Sequence, residues 1–261
     1  MDLFKSGNPT LSEKRFKDTV LDEVVTHENA MTVKGTINKF GILFMLTLAT
    51  SYFSWKEATD GGNAWTLVLV GAFGGLGVAI LLSFKKEWSS FLAPVYALLE
   101  GLFVGAVSAF FENAVASRQD AYAGGYSGIV LQAVGLTFCV VIAMYLLYKF
   151  QIIKVTQRFR SVIIIATAGI ALFYLVCWGL TMFNANVPSF VFQNSALGIG
   201  FSVFVVALAA LNLLLDFDMI ERGAEMGAPK YMEWYGAFGL LVTIVWLYLE
   251  ILRLLSKISK R

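Results

Sequence analysis

The sequence predicts an all-α, polytopic membrane protein, a bundle of seven transmembrane helices. Of its 261 residues, 58% are hydrophobic and only 15% are charged. The charged residues are separated by apolar stretches of about 20 residues, which is the length that a helix needs to cross a bilayer. Stretches of this length are not typical of soluble domains, so most of the chain is expected to contact lipid.

Composition also excludes several classes of function. A net charge of +2, from 20 basic and 18 acidic residues, creates no strong field, so nucleic-acid binding is not expected. Cys139 and Cys177 both lie in apolar runs, which predicts buried thiols rather than a disulfide or a metal site. His27 is the single histidine, so a two-histidine zinc motif is excluded. We expect no fixed metal, no cofactor and no enzymatic activity.

The gaps between charges set the boundaries of the spans. Residues 161–215 contain no charge over 55 positions, and one helix of that length would extend on the order of 80 Å, so this stretch must fold back. A polar segment at residues 184–194 marks the turn. The predicted spans are residues 40–55, 61–84, 88–111, the later part of 121–148, 162–183, 195–215 and 234–255.

Three regions follow from these spans. Residues 1–38 form a polar arm, in which apolar residues at near-helical spacing predict a short amphipathic helix or a partly disordered tail. Residues 39–255 form the transmembrane domain, and residues 256–261 a basic tail. Lys and Arg in alternate loops place the amino terminus in the cytoplasm. Seven crossings then leave Arg253 and Lys257 near the outer side, against the rule, unless the last helix is re-entrant; we favour seven crossings.

Ionisable residues within predicted spans are expensive and therefore candidates for function. Glu100 has apolar neighbours on both sides and needs a partner, a proton or a water-filled cavity. Asp216 and Asp218 are two residues apart, which puts them on nearly opposite faces of a helix; alternatively, residues 216–230 form an ordinary cytoplasmic loop. Glu250 and Arg253 share one helical face and are able to neutralise each other.

Small residues at helical spacing suggest how the helices pack. Gly71 and Gly75 lie four residues apart, as do Gly101 and Gly105, and such pairs allow close approach of two helices in a membrane. We interpret them as packing faces rather than as a pore lining.

Four segments together resemble the Bax inhibitor-1 family, in its bacterial YccA-like branch. They are Met-Thr-Val-Lys-Gly-Thr-Ile-Asn-Lys at residues 31–39, Leu-Leu-Asp-Phe-Asp-Met-Ile at 214–220, Glu-Trp-Tyr-Gly-Ala-Phe-Gly-Leu at 233–240 and Trp-Leu-Tyr-Leu-Glu-Ile-Leu-Arg at 246–253. The resemblance covers nearly the whole chain. It implies a bundle with a central last helix in the cytoplasmic membrane of a bacterium.

The resemblance further implies a pH-sensitive calcium leak channel gated by a pair of aspartates that share a proton. Asp216 matches the first aspartate, but Thr243, which cannot titrate, stands at or near the second. The latch is then either absent or rebuilt with Asp218, Glu250 or Glu100. Arg253 matches a family arginine that closes the bundle through a salt bridge, with Glu250 and Glu100 as candidate acids. Calcium would bind only transiently, at Asp216.

Two functions of different classes remain. The first is a passive, pH-modulated calcium leak through the bilayer with Asp216 as the chief titrating residue. The alternative is a regulatory membrane protein that binds a partner such as a membrane protease, for which the arm at residues 1–38 is the motivating feature. Intramembrane aspartyl proteolysis is disfavoured, since Gly198-Ile199-Gly200 is followed by Phe201 and not by an aspartate.

Overall fold

The computed structural model describes residues 30–119, 128–183 and 194–259. Within these ranges the chain forms seven long helices and a short 3-10 helix, and the described β-structure is one isolated bridge between Ala30 and Pro229. The all-α prediction is therefore confirmed. The helices are α1 Val33–Thr59, α2 Ala64–Phe84, α3 Ser89–Gln119, α4 Ile129–Lys149, α5 Gln157–Met182, α6 Ala196–Glu225 and α7 Met232–Ser259, with the 3-10 helix at Lys86–Trp88.

Six of the described helices, α2 to α7, are long and apolar enough to cross a membrane. α1 is not among these helices, because its uncharged stretch between Lys39 and Lys56 is only 16 residues long. Large apolar side chains on the outer surface, such as Leu131 and Phe91, are 78% and 73% exposed. An outer surface of this kind fits a lipid environment, in which exposure of apolar groups carries no hydration cost.

Helix starts agree with the local sequence. Thr32, Asn63, Thr156 and Ser195 each precede a helix, and each side chain accepts a hydrogen bond from a backbone N–H in the first turn. α1 begins at Val33, within the segment predicted as an arm. Residues 1–29 of that arm, which include His27 and the predicted amphipathic helix, lie outside the described residues.

The end of α6 differs from one of the sequence interpretations. The helix continues through the charged residues to Glu225, so a cytoplasmic loop over residues 216–230 is wrong, and the connection to α7 is short. Asp218 stabilises the extension, because it binds Arg222 one turn later on the same helix and Arg160 on α5. Charge alone was a poor guide to the helix end at this position.

The last helix has packed neighbours on several sides. α7 contacts α1, α3, α4 and α6, whereas α5 packs mainly on α6. Leu247 and Leu252 of α7 are fully buried with Leu213 and Leu214 of α6 in the largest apolar cluster. A second cluster joins Leu241 of α7 to helices α1, α2 and α3. Substitutions on α7 therefore affect both halves of the core.

Glycines permit the closest helix contacts. A Cβ at Gly101 or Gly105 of α3 would overlap the α1 backbone at Thr47 or Ser51. A Cβ at Gly71 of α2 would lie 2.7 Å from the Leu99 carbonyl oxygen of α3. These three glycines are packing positions, as the sequence interpretation proposed.

Candidate functional site

The carboxyl of Asp216 meets Thr243 at the contact between α6 and α7. The Thr243 hydroxyl is within hydrogen-bonding reach of that carboxyl and lies 3.3 Å from the Gly239 carbonyl oxygen. A hydroxyl has one proton to donate, so it serves one of these acceptors at a time. Among the described residues, Oδ2 of Asp216 is a buried oxygen without a hydrogen-bond partner. The structure thus brings together the two positions that the family resemblance singled out.

Asp218 points away from Asp216, as expected for residues two apart on a helix. Its two oxygens bind Arg160 of α5 at 2.5 Å and Arg222 of its own helix at 2.9 Å. Tyr148 at the end of α4 donates to Glu221 beside this group. Asp218 is therefore a structural ion-pair residue at the end of the bundle where α6 finishes.

Glu250 and Arg253 of α7 form an ion pair of 3.1 Å, as their spacing suggested. Their third partner is Tyr174 of α5, whose hydroxyl accepts a hydrogen bond of 2.7 Å from Arg253 and donates to Glu250 at 3.3 Å. The guanidinium also lies over the Tyr174 ring, 5.1 Å from its centroid. Glu250 is 2% exposed, so this cluster ties α7 to α5 inside the bundle.

Glu100 of α3 has a different environment. It is hydrogen-bonded to Tyr96 one turn earlier on the same helix, and its Oε2 would lie 3.5 Å from a Cβ at Gly75 of α2. Glu100 therefore faces α2, whereas Asp216 faces α7. Among the described residues, the hydrogen-bond and ion-pair partners of Asp218, Glu250 and Glu100 do not include Asp216. The structure does not bring these three carboxylates to Asp216.

Sequence reasoning missed Glu233, which is 1% exposed at the start of α7. Its carboxylate binds the Lys39 ammonium and accepts hydrogen bonds of 2.9 Å from both the backbone N–H and the hydroxyl of Thr32. The neighbouring backbone is joined as well, because the Met31 N–H donates to the Ala228 carbonyl at 2.7 Å. The signal was present in the sequence, since Lys39 and Glu233 each lie in a segment that carries the family resemblance.

Two further buried ionisable groups were also missed, at the other end of the bundle. Glu112 of α3 accepts hydrogen bonds from the backbone N–H groups of Gly128 and Val130, at 2.7 and 3.2 Å, and so caps α4. Lys257 of α7 donates to the Gly198 carbonyl and the Ser202 hydroxyl of α6, at 3.0 and 2.8 Å. Glu112 bordered a predicted span and Lys257 fell in the predicted tail, so neither position indicated burial.

Buried polar groups follow α7 along the length of the bundle. After Glu233 and Thr243 come Tyr248, whose hydroxyl is 2.6 Å from that of Ser108, and then Glu250 and Lys257. Among the described residues, no three metal-binding side chains are grouped to hold an ion. Along the described part of α7 the polar groups are therefore separate from one another rather than gathered into a cage of ligands.

Comparison with known families identifies the chain. Residues 8–260 match the family described as Bax inhibitor 1 like, which covers almost the entire sequence. Neither a curated protein nor a solved structure gives a significant match. The resemblance inferred from the four sequence segments is thus confirmed, and with its multiple apolar helices the chain is a multi-pass membrane protein. The protein belongs to the Bax inhibitor 1 like family.

Proposed function

We propose that this protein is a pH-sensitive calcium leak channel of a bacterial cytoplasmic membrane, gated by protonation of Asp216. One observation carries the proposal: a carboxyl oxygen of Asp216 is buried at the α6–α7 contact without a hydrogen-bond partner among the described residues. A buried carboxylate with an unpartnered oxygen is costly, and a residue with that cost inside a membrane protein commonly marks an ion or proton pathway.

The proposed topology has seven crossings, with α7 central and the amino terminus in the cytoplasm. α7 is continuous over 28 residues, which favours a full crossing over a re-entrant helix. Its basic residues near the outer end have partners inside the bundle: Arg253 with Glu250, and Lys257 with Ser202 and Gly198. Because these cations are held by the protein, they do not act as free loop charges, which explains the exception to the charge rule.

The gate follows from the two charge states of Asp216. When the carboxyl is neutral, its burial against Thr243 costs little, and the α6–α7 contact stays closed. When it is ionised, hydration or a bound cation is needed to compensate the charge, which favours separation of α6 from α7 and entry of water and calcium. Calcium flux therefore rises with pH. Asp218, Glu250 and Glu100 act as fixed structural or pathway charges rather than as partners of Asp216.

Calcium flux into proteoliposomes between pH 5 and 8 tests this proposal. We expect wild-type flux to rise with pH and Asp216→Asn to abolish that dependence. Glu57→Gln, on the exposed end of α1, removes a carboxylate elsewhere and is expected to leave the profile unchanged. Glu100→Gln removes the carboxyl on α3 and is expected to keep the pH dependence of flux. Loss of the dependence in this variant would assign the titration to Glu100 instead. Flux indifferent to pH in wild type, or a profile unchanged by Asp216→Asn, would contradict the gate.

A regulatory function is the second candidate, and the attachment of the amino-terminal segment favours it. Ala30 pairs with Pro229, so the described chain starts beside the α6–α7 turn, and residues 1–29 join it at Ala30. A partner such as a membrane protease that holds this segment would act on the start of α7 through Glu233 and Thr32. Deletion of residues 1–29 should then remove a co-purifying partner while leaving calcium flux intact; an unchanged set of partners would count against this function.

A further inference from the structure

A buried side chain that precedes α1 enters the hairpin of α6 and α7. Met31 is 4% exposed and belongs to the largest apolar cluster. A Cβ at Gly223 of α6 would lie 3.0 Å from its Sδ, and a Cβ at Gly236 of α7 would lie 3.5 Å from its Cε. The side chain of Met31 therefore lies in a notch that is formed by one glycine on each helix of the hairpin.

Hydrogen bonds hold the backbone around Met31. Its N–H donates to the Ala228 carbonyl in the α6–α7 turn at 2.7 Å. The next residue, Thr32, donates its N–H and its hydroxyl to Glu233 of α7, both at 2.9 Å. These bonds set the position of Met31 relative to α7, and its contact at Gly223 joins α6 to the same framework.

The notch and the proposed gate lie on the same faces of the two helices. Gly223 follows Asp216 by seven residues on α6, and Gly236 precedes Thr243 by seven residues on α7. Seven residues are about two helical turns, so the two contacts are about 10 Å apart along the hairpin. Separation of α6 from α7 at the gate would therefore also widen the notch and weaken the packing of Met31.

We propose that Met31 is a positioning residue of the gate, which holds α6 against α7 and thereby keeps Asp216 at Thr243. Its effect on transport rests on the calcium gate proposed above. A contact shifts an equilibrium between two conformations only if it differs between them, and the packing of Met31 in the notch is complete only in the closed one. Loss of this packing favours the open conformation even when Asp216 is neutral.

Calcium flux into proteoliposomes at pH 5, where the wild-type gate is closed, tests this role. Met31→Ala empties the notch, and we expect flux about tenfold above that of wild type. Met226→Ala is the matched control, because Met226 lies at the same end of the hairpin but is 77% exposed; its flux should equal that of wild type. Hydrogen–deuterium exchange needs no transport, and in Met31→Ala it should rise around Asp216 and Thr243 but not in α2.

A second variant tests the contact itself. Gly223→Ala adds a methyl group where the Sδ of Met31 lies 3.0 Å away, so in the Met31→Ala background it fills part of the vacated space. The double variant should therefore have a lower flux at pH 5 than Met31→Ala alone. Gly200→Ala lies on the same helix with no atom within 4 Å of the new Cβ, and it should give no such recovery.

Thermal unfolding of all variants separates the positioning role from a purely structural one. If Met31→Ala lowers the melting temperature but matches Met226→Ala in flux and in exchange near Asp216, the proposal is overturned. Equal recovery by Gly223→Ala and Gly200→Ala would overturn it as well. If wild type carries no calcium at any pH, the gate itself fails and exchange alone decides: a rise around Asp216 in Met31→Ala supports the positioning role, and no rise contradicts it.

Discussion

The carboxylate of Glu233 occupies the space that a side chain on Gly35 would need. A Cβ at Gly35 would overlap all three atoms of that carboxylate group. The same carboxylate binds Lys39 and Thr32, so three residues of the 31–39 segment converge on one residue of α7. The start of α1 is thereby fixed to the start of α7, next to the turn that follows α6, the helix that carries Asp216.

We therefore expect Gly35→Ala to destabilise the protein by about 1–3 kcal/mol, because the added methyl group displaces a buried, hydrogen-bonded carboxylate. Gly41→Ala is the matched control, since it lies on the same helix with no atom within 4 Å of the new Cβ. Its helix propensity should make it neutral or stabilising. Thermal unfolding in detergent measures both; equal melting temperatures for the two variants would exclude this role of Gly35.

The ion pair of Lys39 with Glu233 gives a second prediction. Lys39→Met keeps most of the aliphatic stem but leaves a buried carboxylate without its cation, which should cost about 3–5 kcal/mol. Adding Glu233→Gln removes that charge while an acceptor for Thr32 remains, so the double variant should recover part of the loss. Lys34→Met, on the exposed face of α1, serves as the control. If the effects of Lys39→Met and Glu233→Gln on the free energy of unfolding are additive in the double variant, the pair is not coupled.

The Glu250–Arg253–Tyr174 cluster makes a third prediction. Arg253→Leu leaves Glu250 buried with only the Tyr174 hydroxyl, and we expect a loss of about 3–5 kcal/mol. Glu250→Leu combined with Arg253→Leu removes both charges and should be close to neutral in an apolar surrounding. Unfolding temperatures of the two variants give the comparison. If the double variant is as unstable as the single one, the two charged side chains stabilise the protein by more than neutralising each other.

How far the sequence predicted these contacts depends on the distance along the chain. Glu250 and Arg253 were paired correctly because residues three apart on one helix share a face. Glu233 and Lys39 lie 194 residues apart, so no local pattern joins them. Tyr174 was missed for the same reason. Long-range contacts depend on which helices are neighbours in the bundle. Apolar composition does not specify this, because every membrane-spanning helix is apolar.

Helix boundaries show the same contrast. Gaps between charges located the apolar segments well, since lipid excludes unpaired charge. They ended α6 too early, because Asp218 and its arginines compensate one another and let the helix continue to Glu225. Of the candidate site, the approach of Asp216 to Thr243 was implied by the family resemblance. Its unpartnered oxygen depends on atomic detail that no sequence pattern contains.

The neutral residue opposite Asp216 leads to the final prediction. Thr243→Asp would place a second carboxyl beside the first at the α6–α7 contact. Two neighbouring carboxyls repel each other when both are ionised, so the last of their protons is retained to higher pH and the pair titrates in two steps. The rise of calcium flux in proteoliposomes should therefore extend to higher pH than in wild type, with a broader profile. Thr243→Asn has nearly the same size without the charge, and its profile should stay near that of wild type. Identical profiles for Thr243→Asp and Thr243→Asn would mean that residue 243 does not act on the titration of Asp216, whereas a shift confined to Thr243→Asp would locate the gate at this contact.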